Sequence, residues 1–172
     1  IGAVMRSCDA VGIDEIYVLY TEDRYDFDRL DKLGSSSAGV RKWLQVHCFR
    51  DVNACFLALR KKYQLILATH LNSESEVIYD KDLTVPVAFM FGNEHEGLSE
   101  SALEKADGNI LIPQMGMAQS HNISVACAVT IFEALRQRRA TGMYNDILAA
   151  KDGFRQSVYD RFKKIHEASY KK

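Results

Sequence analysis

This 172-residue sequence is short of several features, and each shortage excludes a class of protein. It contains no run of the roughly 20 apolar residues that a membrane-spanning helix needs. The four cysteines are scattered without a C-x-x-C pair, which favours reduced thiols in a cytoplasmic protein over a disulfide framework or a zinc site. No G-x-G-x-x-G follows a predicted strand and no G-x-x-x-x-G-K-[ST] occurs, so neither a nicotinamide-dependent oxidoreductase nor a P-loop enzyme is supported.

The composition that remains is that of a globular protein, 47% hydrophobic and 26% charged, with enough residues to bury one sizeable core. Its net charge of -1 is unevenly placed, because the part from Arg136 onward carries +6 and the remainder carries -7. A basic segment on an acidic body is typical of contact with a polyanion, and a solvated surface helix gives the same pattern. The charge alone leaves both interpretations open.

Strands and helices are predicted to alternate along the chain. The predicted strands cover residues 15–20, 45–49, 64–69, 85–91 and 109–112. The predicted helices cover residues 1–12, 51–62, 98–106, 122–139 and 154–170, with a short helix or loop at 21–33, a turn segment at 34–39 and a connector at 142–150. This alternation predicts an α/β fold with a mostly parallel sheet covered by helices on both faces.

The longest of these helices follows a polar loop and is predicted to bury an apolar face. Helical spacing places four residues on that face: Val125, Val129, Phe132 and Leu135. Three polar residues stand at the start of the helix, where their oxygens can accept from free backbone N–H groups: Ser120, Asn122 and Ser124. Taken by themselves they are adequately explained as an elaborate helix cap.

Three predicted strands end in polar or flexible residues. Thr69 and His70 follow the third strand, Gly92 to Glu94 follow the fourth, and Pro113 to Asn122 follow the last. Because ligands of open parallel sheets bind beyond the carboxyl ends of the strands, these three segments predict one ligand site.

Three blocks of the sequence resemble the SpoU (TrmH-type) branch of the SPOUT methyltransferases: IGAVMRSCDAVG, FGNEHEGLS and IPQMGMAQSHNISVACAVTIFEALRQR. The GMY that follows brings the resemblance closest to the enzymes that methylate the 2'-hydroxyl of guanosine-18 in tRNA. The resemblance implies a C-terminal deep trefoil knot over about residues 87–135 and a homodimer with the active site at the subunit interface. It also implies a methyltransferase domain at 1–142 and a basic helical extension at 143–172, and we expect the family's N-terminal strand to lie outside this chain.

The family binds S-adenosylmethionine in the knot, and the resemblance carries that role to named positions here. The implied cofactor-binding residues are Thr69, Gly92, Ile112, Met115, Gly116 and His121. A glycine at position 92 would let backbone approach the ligand closely. His121 stands where the family usually has Leu, and an imidazole can pack on adenine in a similar way.

The same resemblance implies a catalytic set of Arg6, Glu94, Ser120 and Asn122, and no metal is needed. Without the motif, Arg6 would be read as half of a surface ion pair with Asp9. The family's arginine is proposed to help deprotonate the 2'-hydroxyl, yet a guanidinium is not expected to lose its proton at neutral pH. Holding a phosphate and stabilising the developing alkoxide is the other available role, and both stay open here.

Basic residues near the C-terminus are predicted to neutralise RNA phosphates: Arg136, Arg139, Arg155, Lys163 and Lys164. The predicted substrate is tRNA. Two alternatives remain, a ribosomal RNA ribose 2'-O-methyltransferase of the same family and a knotted RNA-binding protein without catalytic activity.

Overall fold

The computed structural model describes residues 2–21, 44–93, 96–117 and 120–144, together with positions 156, 159, 160, 163, 164 and 167. The chain divides into two compact units, Ile1–Gln137 and Arg138–Lys172. Most of the predicted segment at 21–33, the turn segment at 34–39, most of the 142–150 connector, and the predicted site residues Glu94 and Arg155 lie outside the described residues. The predicted domain boundary at residue 142 remains a prediction.

Parallel strands form the sheets of the first unit, as the alternation of elements predicts. The strands are β1 (Glu15–Leu19), β2 (Gln45–Phe49), β3 (Leu65–Thr69), β4 (Glu76–Val77), β5 (Val87–Met90) and β6 (Gly108–Leu111). β1 pairs with β2, and the other four stand in the order β4-β6-β3-β5. Every pairing between these six strands is parallel. The two-residue β4 was not predicted, because so short an edge strand leaves no period in the sequence.

The helices of the described residues are α1 (Gly2–Ala10), α2 (Val52–Arg60), α3 (Glu100–Leu103) and α4 (Ile123–Ala140), with a 3-10 turn at Ile78–Asp80. Two of their predicted ends are confirmed. Asp51 accepts a hydrogen bond from the backbone N–H of Ala54 at 2.8 Å and so caps α2. Gly12, with φ of +82°, takes the left-handed conformation just beyond α1. None of these helices is long and apolar enough to cross a membrane.

Helices cover both faces of the four-stranded sheet. Ile66 and Leu67 are consecutive in β3, so their side chains point to opposite faces. Ile66 packs with Phe56 and Leu59 of α2 and with Ala102 of α3, whereas Leu67 packs in a cluster that includes Ala134 of α4. Both β3 residues are completely buried, which makes this strand the centre of the core.

The predicted helix at 98–106 is wrong in length, because α3 has only four residues. The chain leaves α3 through two tight turns, in which Lys105 and Ala106 donate to carbonyls three residues back. Asp107 then donates from its backbone N–H to the Ile66 carbonyl at 2.8 Å and accepts from the Ile66 N–H at 2.6 Å. A longer helix would carry Asp107 away from the start of β3.

The predicted buried face of α4 is wrong for two of its four residues. Val125 and Phe132 are each 47% exposed, whereas Val129 and Leu135 are half-buried and Leu135 packs with the buried residues Cys127 and Ile131. Apolar residues surround most of this helix, so helical spacing fits more than one face. Packing against α1 and the sheet selects the Cys127 face and leaves a second apolar face, Val125 and Phe132, uncovered in the protomer.

The second unit is described at fewer positions. Gly142, with φ of +81°, turns the chain, and the Met143 N–H donates to the Arg138 carbonyl at 3.1 Å. All six described positions from 156 to 167 are helical, in agreement with the predicted terminal helix. The apolar residues proposed for its buried stripe lie outside the described residues: Phe154, Val158, Phe162 and Ile165.

Candidate functional site

The carboxyl ends of β5, β3 and β6 are neighbours, which confirms the predicted convergence of three strand ends. β3 lies between β6 and β5, with Ala68 opposite Met90 and Thr69 opposite Ile110. The Thr69 hydroxyl donates to the Met90 carbonyl at 2.9 Å and so fastens two of these ends together. Of the predicted cofactor-binding residues, Thr69, Gly92 and Ile112 stand at this edge and are half-buried.

The fold requires glycine at position 92 even without a ligand, which the sequence alone did not indicate. Asn93 and Gly97 exchange two backbone hydrogen bonds of 3.1 Å, which close a turn back onto the end of β5. A Cβ at position 92 would stand 2.2 Å from the Gly97 carbonyl carbon and 2.5 Å from the Leu98 nitrogen. The turn therefore excludes any side chain at this position, whether or not a ligand approaches it.

The loop after β6 carries exposed apolar side chains. Met115 is 94% exposed and Met117 is 98% exposed, and a Cβ added at Gly116 between them would meet nothing within 4 Å. Thioether side chains adapt their shape to a partner, and exposure as complete as this is typical of a binding surface. The predicted residues Met115 and Gly116 thus lie on an open loop beside the strand ends.

Asn122 caps α4. Its Oδ1 accepts from the backbone N–H of Ser124 at 2.9 Å and from the Ser124 hydroxyl at 2.7 Å. Its carbonyl accepts from the N–H groups of Val125 and Ala126, both at 2.9 Å. With the side-chain oxygen engaged in this way, the exposed amide NH₂ is the group that Asn122 offers to a ligand. Ser120 and His121 precede it and are exposed.

Arg6 lies beside a different part of α4. It is exposed on α1 and lines an open cleft of about 400 Å³ with Ala3, Ser7, Ala10 and Phe132. Phe132 comes ten positions after Asn122, which corresponds to about 15 Å along the helix axis. Within one protomer, Arg6 therefore stands by the middle of α4 and not by the Asn122 end.

Arg136, predicted to bind RNA, is held by a buried carboxylate. Its Nε and one terminal nitrogen each donate to Glu133 at 2.8 Å, and Glu133 is 7% exposed. These hydrogen bonds lower the pKa of Glu133 against the opposing effect of burial. Much of the Arg136 charge is thus compensated inside the protomer, and the sequence showed Glu133 only as one polar position in an apolar helix.

Gln137 completes this network. Its NH₂ donates to Glu133 at 2.9 Å and to the Lys81 carbonyl at 3.0 Å, while its oxygen accepts from the Leu83 N–H at 2.9 Å. Of the other predicted RNA contacts, Arg139, Lys163 and Lys164 are exposed on helical segments of the second unit.

Comparison with known sequences matches this chain to one protein family, and the relatives below agree with that match. A sequence profile of the SpoU rRNA Methylase family matches residues 1–132. The tRNA (guanosine(18)-2'-O)-methyltransferase of Escherichia coli (strain K12) is 36% identical over 144 residues. That match covers 84% of this chain and 61% of the relative, so the chain spans less than two thirds of that protein.

Solved structures agree with this assignment. The Aquifex aeolicus TrmH/SpoU tRNA modifying enzyme matches with a TM-score of 0.72 at 34% identity, over 84% of this chain and 71% of that one. The SpoU methyltransferase AviRb from Streptomyces viridochromogenes, solved with the cofactor AdoMet, matches with a TM-score of 0.66 at 28% identity. The second match covers 81% of this chain and 55% of that one.

Proposed function

Since this chain belongs to the SpoU methylase family, we propose that it catalyses the transfer of a methyl group from S-adenosylmethionine to a ribose 2'-hydroxyl of RNA. One observation carries the proposal: the ends of β5, β3 and β6 meet at one edge, and the exposed Met115–Met117 segment follows β6 there, ahead of the Asn122 cap of α4 in the chain. This edge of the sheet has half-buried apolar residues, backbone that a ligand could approach at Gly92, and a few polar groups. Such a combination is usual in a nucleoside site.

The cofactor lies at these strand ends in the proposed complex. S-adenosylmethionine supplies a methyl group made electrophilic by its sulfonium. Ile112 gives apolar contact to the adenine, and His121 packs against it where the family usually has Leu. Thr69 keeps two acceptor lone pairs after donating its hydroxyl proton to Met90. Met115 and Gly116 form the adaptable side of the pocket.

Arg6 acts as a cation in this proposal. A guanidinium keeps its proton at neutral pH, so it holds a phosphate of the RNA and stabilises the charge that develops on the 2'-oxygen. Asn122 donates from its amide NH₂ to the ribose or the adjacent phosphate, because its oxygen is engaged by Ser124. Ser120 provides a further hydroxyl at the same helix end, and Glu94 belongs to the proposed set through the family resemblance.

A homodimer reconciles the two separated parts of the site. Within one chain Arg6 shares its cleft with Phe132, which stands about 15 Å from Asn122 along the axis of α4. We infer from this that Arg6 and Asn122 of one chain do not contact the same reacting atoms. The second apolar face of α4, Val125 and Phe132, is exposed and suits a second copy of the chain, and its Phe132 lines the Arg6 cleft. We therefore infer that Arg6 of one subunit completes the Asn122 site of the other, with residues 87–135 threaded as the family's trefoil knot.

The proposed substrate is guanosine-18 of tRNA, with ribosomal RNA as the second candidate. The tRNA assignment is supported by the printed name of the Escherichia coli relative and by the Aquifex aeolicus enzyme. Exposed Arg139, Lys163 and Lys164 are available to phosphates, and Arg136 contributes less because Glu133 compensates its charge. The family profile carries the name of an rRNA methylase, which keeps the second candidate open.

The proposal is tested by transfer of labelled methyl from S-adenosylmethionine to tRNA and rRNA transcripts with the full-length protein. We expect incorporation into tRNA, at a single guanosine 2'-hydroxyl. Arg6→Ala should lower the rate by about 100-fold or more, because it removes one preorganised charge from the transition state. Arg6→Lys should recover only part of that rate, since the ammonium group of Lys cannot form the paired, coplanar hydrogen bonds that a guanidinium makes with a phosphate.

Two controls accompany this assay. Lys61→Ala removes an exposed cation at the end of α2, away from the strand ends, and should leave the rate unchanged. Binding of S-adenosylmethionine is measured by calorimetry for every variant. Cofactor and RNA binding without incorporation into either RNA would reject the enzyme and support the knotted RNA-binding protein.

A further inference from the structure

A buried carboxylate holds an exposed arginine near the end of α4. Glu133 is 7% exposed, whereas the side chain of Arg136, one turn further along the helix, is 65% exposed. Nε and one terminal nitrogen of Arg136 donate to the two different oxygens of Glu133, both at 2.8 Å. Such a two-point contact fixes the plane of the guanidinium as well as its position.

The carboxylate is itself held from the protein interior. Gln137 donates to Glu133 at 2.9 Å and to the Lys81 carbonyl at 3.0 Å. Its oxygen accepts from the Leu83 N–H at 2.9 Å. Gln137 therefore uses both protons of its amide, and its oxygen, to join Glu133 to the backbone before β5. Each member of this series holds the next, and the exposed Arg136 is the outermost member.

Stability alone does not explain the contact between Glu133 and Arg136. Burying a carboxylate costs free energy, and apolar residues often replace a buried ion pair without loss of stability. A surface ion pair contributes little, because holding two mobile side chains together costs entropy. A buried partner that is already fixed lowers that cost, so Arg136 has its orientation before a ligand arrives.

Three N–H groups of the Arg136 guanidinium remain after this contact. A guanidinium carries five, and the two that Glu133 accepts lie along its Nε edge. The outer edge, formed by both terminal nitrogens, matches a phosphate group, to which arginine donates two parallel hydrogen bonds. Since Glu133 compensates its charge, Arg136 adds little to the long-range attraction of RNA. It offers instead a donor edge of fixed direction.

We propose that Glu133 is a positioning residue, which holds Arg136 so that its outer edge donates to one phosphate of the bound RNA. The proposal rests on the proposed function, because it takes RNA as the ligand. It assigns to Glu133 an action on RNA that passes entirely through Arg136.

Two interpretations of Glu133 predict changes of opposite sign. If Glu133 merely compensates charge, Glu133→Gln makes the surface more positive, and RNA should bind more tightly. If Glu133 positions Arg136, the same change should weaken RNA binding although the net charge rises, because an amide has one oxygen and cannot accept from both nitrogens of the Nε edge.

The test compares the full-length protein with Glu133→Gln, Arg136→Ala and the double variant. Affinity for tRNA and rRNA transcripts is measured by filter binding at one salt concentration, and thermal melting checks that each variant is folded at the assay temperature. We expect each single variant to bind RNA about 5- to 10-fold more weakly. The double variant should bind no more weakly than Arg136→Ala, because Glu133 acts through Arg136.

Two further variants complete the test. Glu104→Gln is the matched control, because it removes the same charge from an exposed carboxylate at the end of α3, and it should not weaken RNA binding. Arg136→Lys keeps the charge, leaves the buried carboxylate in place and removes the outer edge. It should bind as weakly as Arg136→Ala, and it decides the case if Glu133→Gln does not fold.

Four results would overturn the proposal. They are undiminished RNA binding by Glu133→Gln, a further loss when Glu133→Gln is added to Arg136→Ala, normal binding by Arg136→Lys, and an equal loss of S-adenosylmethionine affinity in Glu133→Gln by calorimetry. Methyl transfer by the unmodified protein is measured alongside. If that protein binds RNA but transfers no methyl group, the proposed function fails while the variants still decide the role of Glu133.

Discussion

At Gly92, the missing side chain lets Gly97 and Leu98 lie close to the end of β5, where Asn93 and Gly97 pair. The obstacle to a larger residue is backbone, the Gly97 carbonyl carbon and the Leu98 nitrogen, which have no rotamer to change. Gly116 offers a contrast, since a Cβ there meets nothing within 4 Å. The two glycines belong to the same proposed pocket, yet only one of them is required by packing.

We expect Gly92→Ala to lower the free energy of unfolding by about 1–3 kcal/mol, because the added methyl group would collide with backbone atoms of Gly97 and Leu98 and force them away. Cofactor affinity should fall with it, since the turn borders the strand ends. Urea unfolding and calorimetry measure the two effects. The matched variant Gly116→Ala should change stability by less than about 0.5 kcal/mol. Equal stability of the two variants would show that the turn at Gly92 is not as tight as described.

Single residues were partly predictable from the sequence. The family resemblance implies Gly92 and Asn122, and the structure adds a local role for each: Gly92 allows a closed turn, and Asn122 caps α4 with its side-chain oxygen. The Glu133–Arg136 pair and the packing of Cys8 and Cys127 in one buried cluster depend on which face of α4 turns inward. That face is decided by tertiary packing, so residue patterns alone did not reveal either contact.

At the scale of elements, one ion pair joins α2 to the strand after α3. Arg60 donates from its two terminal nitrogens to Asp107 at 2.6 Å and 2.9 Å, and also to the Lys105 carbonyl at 3.0 Å. Asp107 in turn accepts from the Ile66 N–H. The Arg60 guanidinium, as the largest influence, holds the pKa of the Asp107 carboxyl below its ordinary value.

We expect Asp107→Asn to destabilise the protein by about 1–2 kcal/mol at pH 7, since a partly exposed, bidentate and charge-assisted contact is lost. Because the folded-state pKa of Asp107 is lowered, this contribution is complete above about pH 4 and is lost as the pH falls through the lower folded-state value. Thermal melting of both proteins from pH 7 to pH 2 should therefore show their difference shrinking only in acid.

The exposed pair of Glu76 and Lys81 is the control, because the Glu76 side chain is 53% exposed. Glu76→Gln should cost at most about 1 kcal/mol, as surface ion pairs generally do. If Glu76→Gln destabilises as much as Asp107→Asn, the special role of the Arg60 contact is rejected.

Most elements followed from local pattern, and the exceptions share one cause. α1, α2 and β1 to β3 start and end within two residues of prediction, because caps and alternation are local signals. α3 ends early because Asp107 pairs with Ile66 at the start of β3. The buried face of α4 is determined by its packing against α1 and the sheet. Long-range partners decided these two cases, and a sequence does not display them.

At the scale of the whole molecule, the separation of Arg6 from Asn122 makes the proposed dimer testable through its chemistry. Arg6→Ala and Asn122→Ala should each be nearly inactive alone. Mixed, unfolded and refolded together, they form heterodimers in half of the molecules, and each heterodimer has one intact composite site. We expect about a quarter of the wild-type methyl-transfer rate from an equal mixture.

Mixing Arg6→Ala with an Arg6→Lys, Asn122→Ala double variant is the matched control, and it should recover far less. Sedimentation of each sample confirms that dimers have formed. Failure of the first mixture to regain activity, with dimers present, would place Arg6 and Asn122 of the same chain in one site and reject the shared arrangement.

The knot and the subunit arrangement came from family resemblance, whereas the parallel α/β fold came from the order of elements. Alternation of strands and helices along the sequence predicts a parallel sheet. Passage of the chain through a knot, and the surfaces that contact a partner, produce no periodic pattern in a single sequence. The second apolar face of α4 is the nearest such pattern, and its helical spacing is the same as that of a buried face.

The side-chain amide of Gln137 has a consequence for solubility. By binding the Lys81 carbonyl and the Leu83 N–H together, it occupies the pair of backbone groups that an adjoining strand would use. An extended stretch with both groups free is a template on which another molecule can add. A helix that is itself rich in apolar residues thus protects the segment before β5 from intermolecular sheet growth.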